Sequence, residues 1–106
     1  MIAPSILNAD NMHLSRDIKA AIESGIERFH IDIMDGHFVP NLSYGPELVK
    51  DFKRSFPFTK AEIHLMSNNL DTTLPLFVEA GCDILEFHYE ATNKPDYWLN
   101  YLKDHN

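Results

Sequence analysis

The feature of this sequence that most constrains its fold is a fourfold alternation of short apolar segments with longer amphipathic ones. The apolar segments predict strands at Ile2–Leu7, Arg28–Met34, Lys60–Met66 and Asp83–Tyr89. Strands that alternate with helices are typical of a parallel sheet with helices packed on it. The predicted fold class is therefore α/β, and a repeat of about 25 to 30 residues suits a β/α barrel better than a small solenoid.

Capping residues and prolines mark the amphipathic segments as helices. Asn8 and Asp10 can cap the first helix, which Gly25 ends. Proline is favoured in the first turn of a helix, and it helps to place the other three. These are expected from Pro46 to about Phe56, from Asp71 to Gly81 with Pro75 in the first turn, and from Pro95 to about Asp104. No linker or low-complexity segment interrupts the pattern, so residues 1–106 are expected to form one domain.

Charge and composition exclude several classes of function. The formal net charge is −7 with histidine neutral, and no basic stripe is present for a nucleic acid backbone. No basic amphipathic helix suits an anionic membrane, and no apolar run is long enough to span one. Cys82 is the one cysteine, and residues 1–7 lack the pattern of a signal peptide. A reducing, cytoplasmic setting is therefore expected.

The second predicted strand carries two residue types that bind metals on a single face. Because side chains alternate along a strand, His30 and Asp32 share a face, and the apolar residues Phe29, Ile31 and Ile33 share the opposite one. Active sites of β/α barrels lie at the carboxyl ends of their strands, where Asp32 is placed.

The neighbouring predicted strands repeat this arrangement. His64 shares a face with Glu62, and His88 shares a face with Glu86. The polar side chains expected to converge at one end of the sheet are Ser5, His30, Asp32, His64 and His88. Two imidazoles and a carboxylate form a partial ligand set for Zn2+, Fe2+ or Mn2+.

Other interpretations of these residues remain open at this point. His88 suits a role beside the metal or substrate as well as simple packing. Met34 and Met66 are ordinary core residues on sequence alone. The segment Asp35-Gly36-His37 is explained by turn formation, and Cys82 is expected to be a small buried residue.

Four segments of the chain resemble one enzyme family. The segment HIDIMDGHFVPN at residues 30–41 closely resembles the signature of ribulose-phosphate 3-epimerases. The same holds for APSIL at 3–7, HLM at 64–66 and FHYEAT at 87–92. The resemblance implies the N-terminal half of a TIM (β/α)8 barrel, formed by four β/α units. It also implies an isomerase of the pentose phosphate pathway, which interconverts D-ribulose 5-phosphate and D-xylulose 5-phosphate by proton transfer at C3.

The resemblance also assigns roles to individual residues. His30, Asp32 and His64 match three of the family's four ligands for a divalent metal ion, which is Zn2+, Fe2+, Mn2+ or Co2+. Asp32 further matches one of its two acid/base aspartates. The substrate-binding positions that the resemblance implies are Ser5, Met34, His64 and Met66.

The sequence departs from the family pattern in two respects. The second catalytic aspartate and the glycine-rich phosphate loops belong to later strands and are not among these 106 residues. Glu62 replaces the usual aspartate, and Glu86 replaces a small polar residue, so two like charges are expected to face the barrel interior.

These departures leave alternatives for function and assembly. We expect the 106 residues alone to be inactive and to associate with a second copy or with the missing C-terminal half. One alternative function is epimerisation of another ketose phosphate, such as D-allulose 6-phosphate. The other is a half-barrel that binds a partner without catalysis.

Overall fold

The chain forms a parallel three-stranded sheet with helices packed on it. A computed structural model describes residues 2–105, with only the backbone of Asn8 included. The strands are β1 (Arg28–Met34), β2 (Lys60–Met66) and β3 (Ile84–Phe87), in the order β1-β2-β3. The helices are α1 (Leu14–Glu23), α2 (Pro46–Ser55), α3 (Leu70–Glu79) and α4 (Pro95–His105). The predicted α/β class is confirmed, and three of the four predicted strands are present.

Alternation along the strands separates a core face from a polar face. Ile31, Ile63 and Leu65 are fully buried on the core face. There they belong to one cluster with helix residues such as Val49 and Leu74. Burial of apolar side chains contributes roughly 25 cal/mol per Å² and fixes which face meets the helices. The opposite face, which we call the polar face, carries His30, Asp32, Met34, Glu62, His64, Met66 and Glu86.

The predicted first strand is wrong beyond a single bridge. Within Ile2–Leu7, only Ser5 pairs with β1, through a parallel bridge to His30, and the His30 N–H donates to the Pro4 carbonyl at 2.9 Å. Pro4 has no N–H to give to a strand ladder. The Ser5 hydroxyl then accepts from the Leu7 N–H at 3.2 Å, which starts a 3-10 helix over Ile6–Asn8.

The helix predictions hold with two corrections. Gly25 and Gly81 have φ values of +101° and +96° just beyond α1 and α3, as expected for helix stops. However, Pro75 is the sixth residue of α3 and lies inside that helix, where it removes a bond to the Asp71 carbonyl. The first helix is also interrupted, because Asp10 caps a separate 3-10 helix over Asn11–His13.

The fourth predicted strand is shorter than expected. At its start, the Asp83 carboxylate accepts from the Ala61 N–H at 2.9 Å. At its end, His88 precedes a 3-10 helix over Tyr89–Ala91. His88 therefore lies just beyond β3 rather than within it. Among the described residues, no helix has the length and apolar character needed to cross a membrane.

Candidate metal and catalytic site

The register of the sheet brings the predicted site residues to one end of the polar face. Asp32 pairs with His64 across β1 and β2, and Met34 pairs with Met66 two residues further along each strand. Because both strands are parallel and start in register, their carboxyl ends meet at the same edge. The polar side chains of both strands therefore lie together at the position expected for a barrel active site.

Asp32 is the centre of this cluster. Its Oδ1 lies 2.9 Å from His30 Nε2 and 3.1 Å from His64 Nδ1. Its Oδ2 accepts from the Ser5 hydroxyl at 3.3 Å. The two oxygens thus have different surroundings: one faces two imidazoles and the other faces a neutral hydroxyl.

These donor atoms suit a divalent metal ion. One ligand atom from each of His30, Asp32 and His64 lies within 4.8 Å of the others. The Asp32 side chain is only 16% exposed, and its ion-pair partners among residues 2–105 are the same two histidines. A poorly hydrated carboxylate between two imidazole nitrogens is stabilised by a bound cation, and this donor set suits Zn2+ or Fe2+.

The residues matched to substrate contacts lie on the polar face or, in the case of Ser5, beside it. Ser5 lies against its Oδ2, and His64 lies against its Oδ1. Met66 is 8% exposed, and Met34 beside it is half-buried. The structure therefore brings the methionine pair to the ends of β1 and β2, next to the carboxylate.

His88 contacts the far side of the His64 ring. Its Nε2 lies 2.8 Å from His64 Nε2. The Phe38 ring packs against His88 with centroids 5.2 Å apart, and Glu90 Oε1 lies 3.7 Å from its Nδ1. Phe38 and Glu90 were missed in the sequence, because neither carries a metal-binding or catalytic pattern.

Glu62 and Glu86 form a second acidic group deeper on the polar face, and the expected pair of like charges is present. Burial raises the pKa of Glu62, but hydrogen bonds from Glu86, His30 and Arg28 outweigh it and lower that pKa overall. Burial and the neighbouring Glu62 both raise the pKa of Glu86. A proton is therefore held on Glu86 more firmly than on Glu62.

Arg28 was missed as the partner of this acidic group. Its Nη1 donates to Glu62 Oε2 at 3.4 Å, and His30 Nδ1 lies 3.4 Å from Glu62 Oε1. The available sequence signal was its position two residues before His30, which places both side chains on one face. His30, Glu62 and Glu86 also offer ligand atoms within 4.8 Å of one another.

Two loop residues hold the carboxyl end of β1. The Asp35 carboxylate accepts from the backbone N–H groups of His37 and Phe38 at 2.9 and 2.8 Å. The Ser43 hydroxyl donates to the Asp32 carbonyl at 2.5 Å and accepts from the Met34 N–H at 2.9 Å. The turn interpretation of Asp35 is confirmed, whereas the role of Ser43 was missed because the loop has no periodic pattern.

A cleft in the described part of the chain lies outside the predicted site. A cleft of about 430 Å³ separates the loops after β2 and β3, and it is lined by residues 68–71 and 90–94. None of the predicted site residues lines this cleft. Within the described part of the chain, the metal-binding side chains lie on β1 and β2, outside this cleft.

Comparison with known proteins identifies one family. The model of the ribulose-phosphate 3 epimerase family matches residues 1–106. Ribulose-phosphate 3-epimerase of Buchnera aphidicola subsp. Schizaphis graminum is 41% identical over 103 residues, which are 97% of this chain and 45% of that protein. The Escherichia coli K12 protein of the same name is 38% identical, with 98% and 46% covered. The chain thus spans about half the length of the curated relatives it matches.

Proposed function

Because the chain belongs to the ribulose-phosphate 3-epimerase family, we propose that it carries the first half of a metal-dependent isomerase site. The reaction is the interconversion of D-ribulose 5-phosphate and D-xylulose 5-phosphate at C3. The observation that carries this proposal is the Asp32 carboxylate, with one oxygen between His30 and His64 and the other beside the Ser5 hydroxyl.

Three side chains would hold the metal ion: His30 through Nε2, Asp32 through Oδ1 and His64 through Nδ1. A divalent ion, when bound, neutralises the negative charge that develops on substrate oxygens next to the reacting carbon. Zn2+, Fe2+, Mn2+ and Co2+ all accept such ligands. With three ligands in place of four, binding to this chain alone should be weak.

Asp32 would act as the base. Its Oδ2 is directed to the neutral Ser5 hydroxyl and is free to accept the proton from C3. Ser5 holds this oxygen in place. Met34 and Met66 provide an apolar wall against the planar species that forms when C3 of the substrate loses its proton. Inversion needs a second acid on the opposite face of the substrate, because a single base returns the proton to the side from which it came.

We further propose that residues 1–106 are one domain, the N-terminal half of a TIM (β/α)8 barrel. The parallel sheet, the Ser5 bridge to β1 and the 45% coverage of the relatives support this.

Two apolar grooves lie at its edges. One, of about 330 Å³, runs between β3 and α4 with Leu99 at its rim. The other, of about 200 Å³, is lined by Ile6, Ile18 and Phe29.

The edge grooves and the open polar face suit the remaining β/α units of a barrel. Where the 106-residue chain occurs alone, we propose that a second copy covers them. The substrate is a ketose phosphate in either case.

The lone free thiol of Cys82 suits a reducing compartment, and we propose the cytoplasm.

The experiment compares Asp32→Asn with the parent in the protein as its gene encodes it. We expect the variant to lose nearly all epimerisation of D-ribulose 5-phosphate and all exchange of the C3 proton with deuterium from solvent. D-allulose 6-phosphate is assayed in parallel to identify the preferred ketose. Asp96→Asn is the matched control, because Asp96 is exposed on α4.

Normal turnover by Asp32→Asn would remove this residue from the mechanism. The isolated 106-residue chain should show no turnover above a metal-only background. Efficient turnover by that chain would contradict the half-barrel proposal.

A further inference from the structure

Both ring nitrogens of His64 are engaged by other side chains. Nδ1 faces Asp32 Oδ1 at 3.1 Å, and Nε2 faces His88 Nε2 at 2.8 Å. The two rings are nearly parallel, with an interplanar angle of 29° and centroids 5.0 Å apart. A distance of 2.8 Å between two imidazole nitrogens requires a hydrogen bond, so exactly one of them carries the shared proton.

The direction of this hydrogen bond follows from the metal site. If Nδ1 of His64 offers its lone pair to a metal, the ring proton must be on Nε2. That N–H then donates to His88 Nε2, which must be unprotonated. Neutral His88 consequently carries its own proton on Nδ1, the nitrogen that lies 3.7 Å from the Glu90 carboxylate.

His88 is itself held in position. Phe38 packs against its ring, and Glu90 favours a proton on the nitrogen that faces it. The His88 side chain is 34% exposed, so it is neither a core residue nor a free surface residue. Simple packing would not require its Nε2 to meet the one nitrogen of His64 that the metal leaves free.

We propose that His88 is a positioning residue that fixes the tautomer and the ring orientation of His64 for metal binding. The inference rests on the proposed metal site and extends it with a residue that would touch neither the metal nor the substrate. His30 is held in the same manner, because its Nδ1, the ring nitrogen turned away from Asp32, lies 3.4 Å from Glu62 Oε1. Partners of this kind typically change metal affinity by about 10- to 100-fold.

The first test uses the Zn2+-loaded protein as its gene encodes it, because without the ion the Asp32 carboxylate also accepts a proton from Nδ1 of His64. The tautomer of His88 is read from side-chain nitrogen chemical shifts, and we expect an unprotonated Nε2 and a proton on Nδ1 in the parent. His88→Leu, which removes the acceptor, should speed exchange of the His64 Nε2 proton with solvent. His88→Gln offers an amide oxygen to the same proton and should restore slow exchange. A proton on Nε2 of His88 in the loaded parent would overturn the proposal without any variant.

The second test is calorimetric titration of the same proteins with Zn2+ alone. We expect 10- to 100-fold weaker binding by His88→Leu and a change of less than about threefold in His88→Gln. His105→Gln is the control, because His105 is exposed and lies at the end of α4, where it bonds the Tyr101 carbonyl and stacks on the Tyr101 ring. Circular dichroism verifies that each variant is folded.

The outcomes separate the two proposals. Parent-like affinity and parent-like exchange of the His64 Nε2 proton in a folded His88→Leu would overturn the role of His88 and leave the metal site standing. No binding by the parent would overturn the metal site, and the role of His88 would fall with it.

Discussion

The Ser5 hydroxyl donates to Asp32 Oδ2 at 3.3 Å, which joins the N-terminal segment to the proposed catalytic carboxylate. Ser5→Ala removes this bond and the hydroxyl that caps the Leu7 N–H. We expect kcat/KM for D-ribulose 5-phosphate to fall about tenfold, which corresponds to one hydrogen bond to a charged group. Ser5→Thr keeps the hydroxyl and should retain most of the activity. Equal losses in both variants would indicate that the hydroxyl is not the cause.

The metal site predicts that two histidines act together. The double variant His30→Ala with His64→Ala leaves Asp32 as a single ligand, so we expect no Zn2+ binding in a calorimetric titration that detects the parent. The matched control replaces His13 and His105 by alanine, because both lie at the surface outside the cluster. Binding by the double variant at the parent's affinity would rule the site out.

The open edges predict association of the isolated 106-residue chain. Both edges carry apolar grooves, and unpaired strand edges invite pairing with another chain. In sedimentation velocity at micromolar concentration, we expect a dimer or a larger assembly. Leu99→Lys, at the rim of the groove beside β3, should weaken association, whereas Phe58→Lys, at a fully exposed side chain, should not. A cooperatively folded monomer would contradict the edge-pairing argument.

The hydrogen bonds of Asp35 should contribute to the free energy of unfolding, and acid should remove this contribution. Burial raises its pKa, but hydrogen bonds from the backbone of His37, Phe38 and Asn68 lower the pKa overall, below the ordinary 3.8. This contribution is complete above pH 3.8 and is lost as pH falls through the pKa of the folded state. The free energy of unfolding of Asp35→Asn should therefore fall less steeply at acid pH than that of the parent. Urea unfolding from about pH 2 to about pH 7 measures both. Identical acid profiles of parent and variant would contradict this role.

Cys82 should be an unreactive thiol in the folded chain. Burial, with a smaller effect of the Asp83 charge, raises its pKa to about 11. The thiolate is the reactive form, so we expect alkylation by iodoacetamide near neutral pH to be roughly a hundredfold slower than for a free thiol. Mass spectrometry of native and urea-unfolded protein measures the difference. Equal labelling rates in the two states would show that Cys82 is not protected.

The faces of β1 and β2 could be predicted because strand alternation is a local property of the sequence. Phe29 and Ile31 are apolar where His30 and Asp32 are polar, and no long-range information is needed to separate them. The same reasoning directed His64 and Asp32 to one end of the sheet, because the carboxyl ends of parallel strands meet at the same edge.

The predictions for the first strand and for Pro75 were wrong. Pro4 and the Ser5 hydroxyl turn an apolar segment into a 3-10 helix, although its composition suits a strand. Pro75 is tolerated inside α3, where proline was expected only in the first turn. In α3 tertiary packing, such as the burial of Leu74, outweighs the preference of the isolated segment.

The contacts between side-chain atoms could not be predicted. Whether His88 meets Nδ1 or Nε2 of His64 depends on ring rotation and on the turn after β3. The bond from Arg28 to Glu62 depends on the register of β1 with β2, which sequence periodicity leaves undetermined. These are the interactions that distinguish a packing histidine from a positioning one.

The strand order β1-β2-β3 has a consequence for synthesis of the protein. Each pairing joins consecutive strands across a helix, so paired residues of β1 and β2 such as His30 and Glu62 lie 32 positions apart in the chain. Parallel pairing of this kind forms more slowly than a hairpin, because the intervening chain loses its entropy before any contact between the strands is gained. Synthesis from the N-terminus presents β1, α2 and β2 before β3, so the strands that carry His30, Asp32 and His64 are the first that can pair.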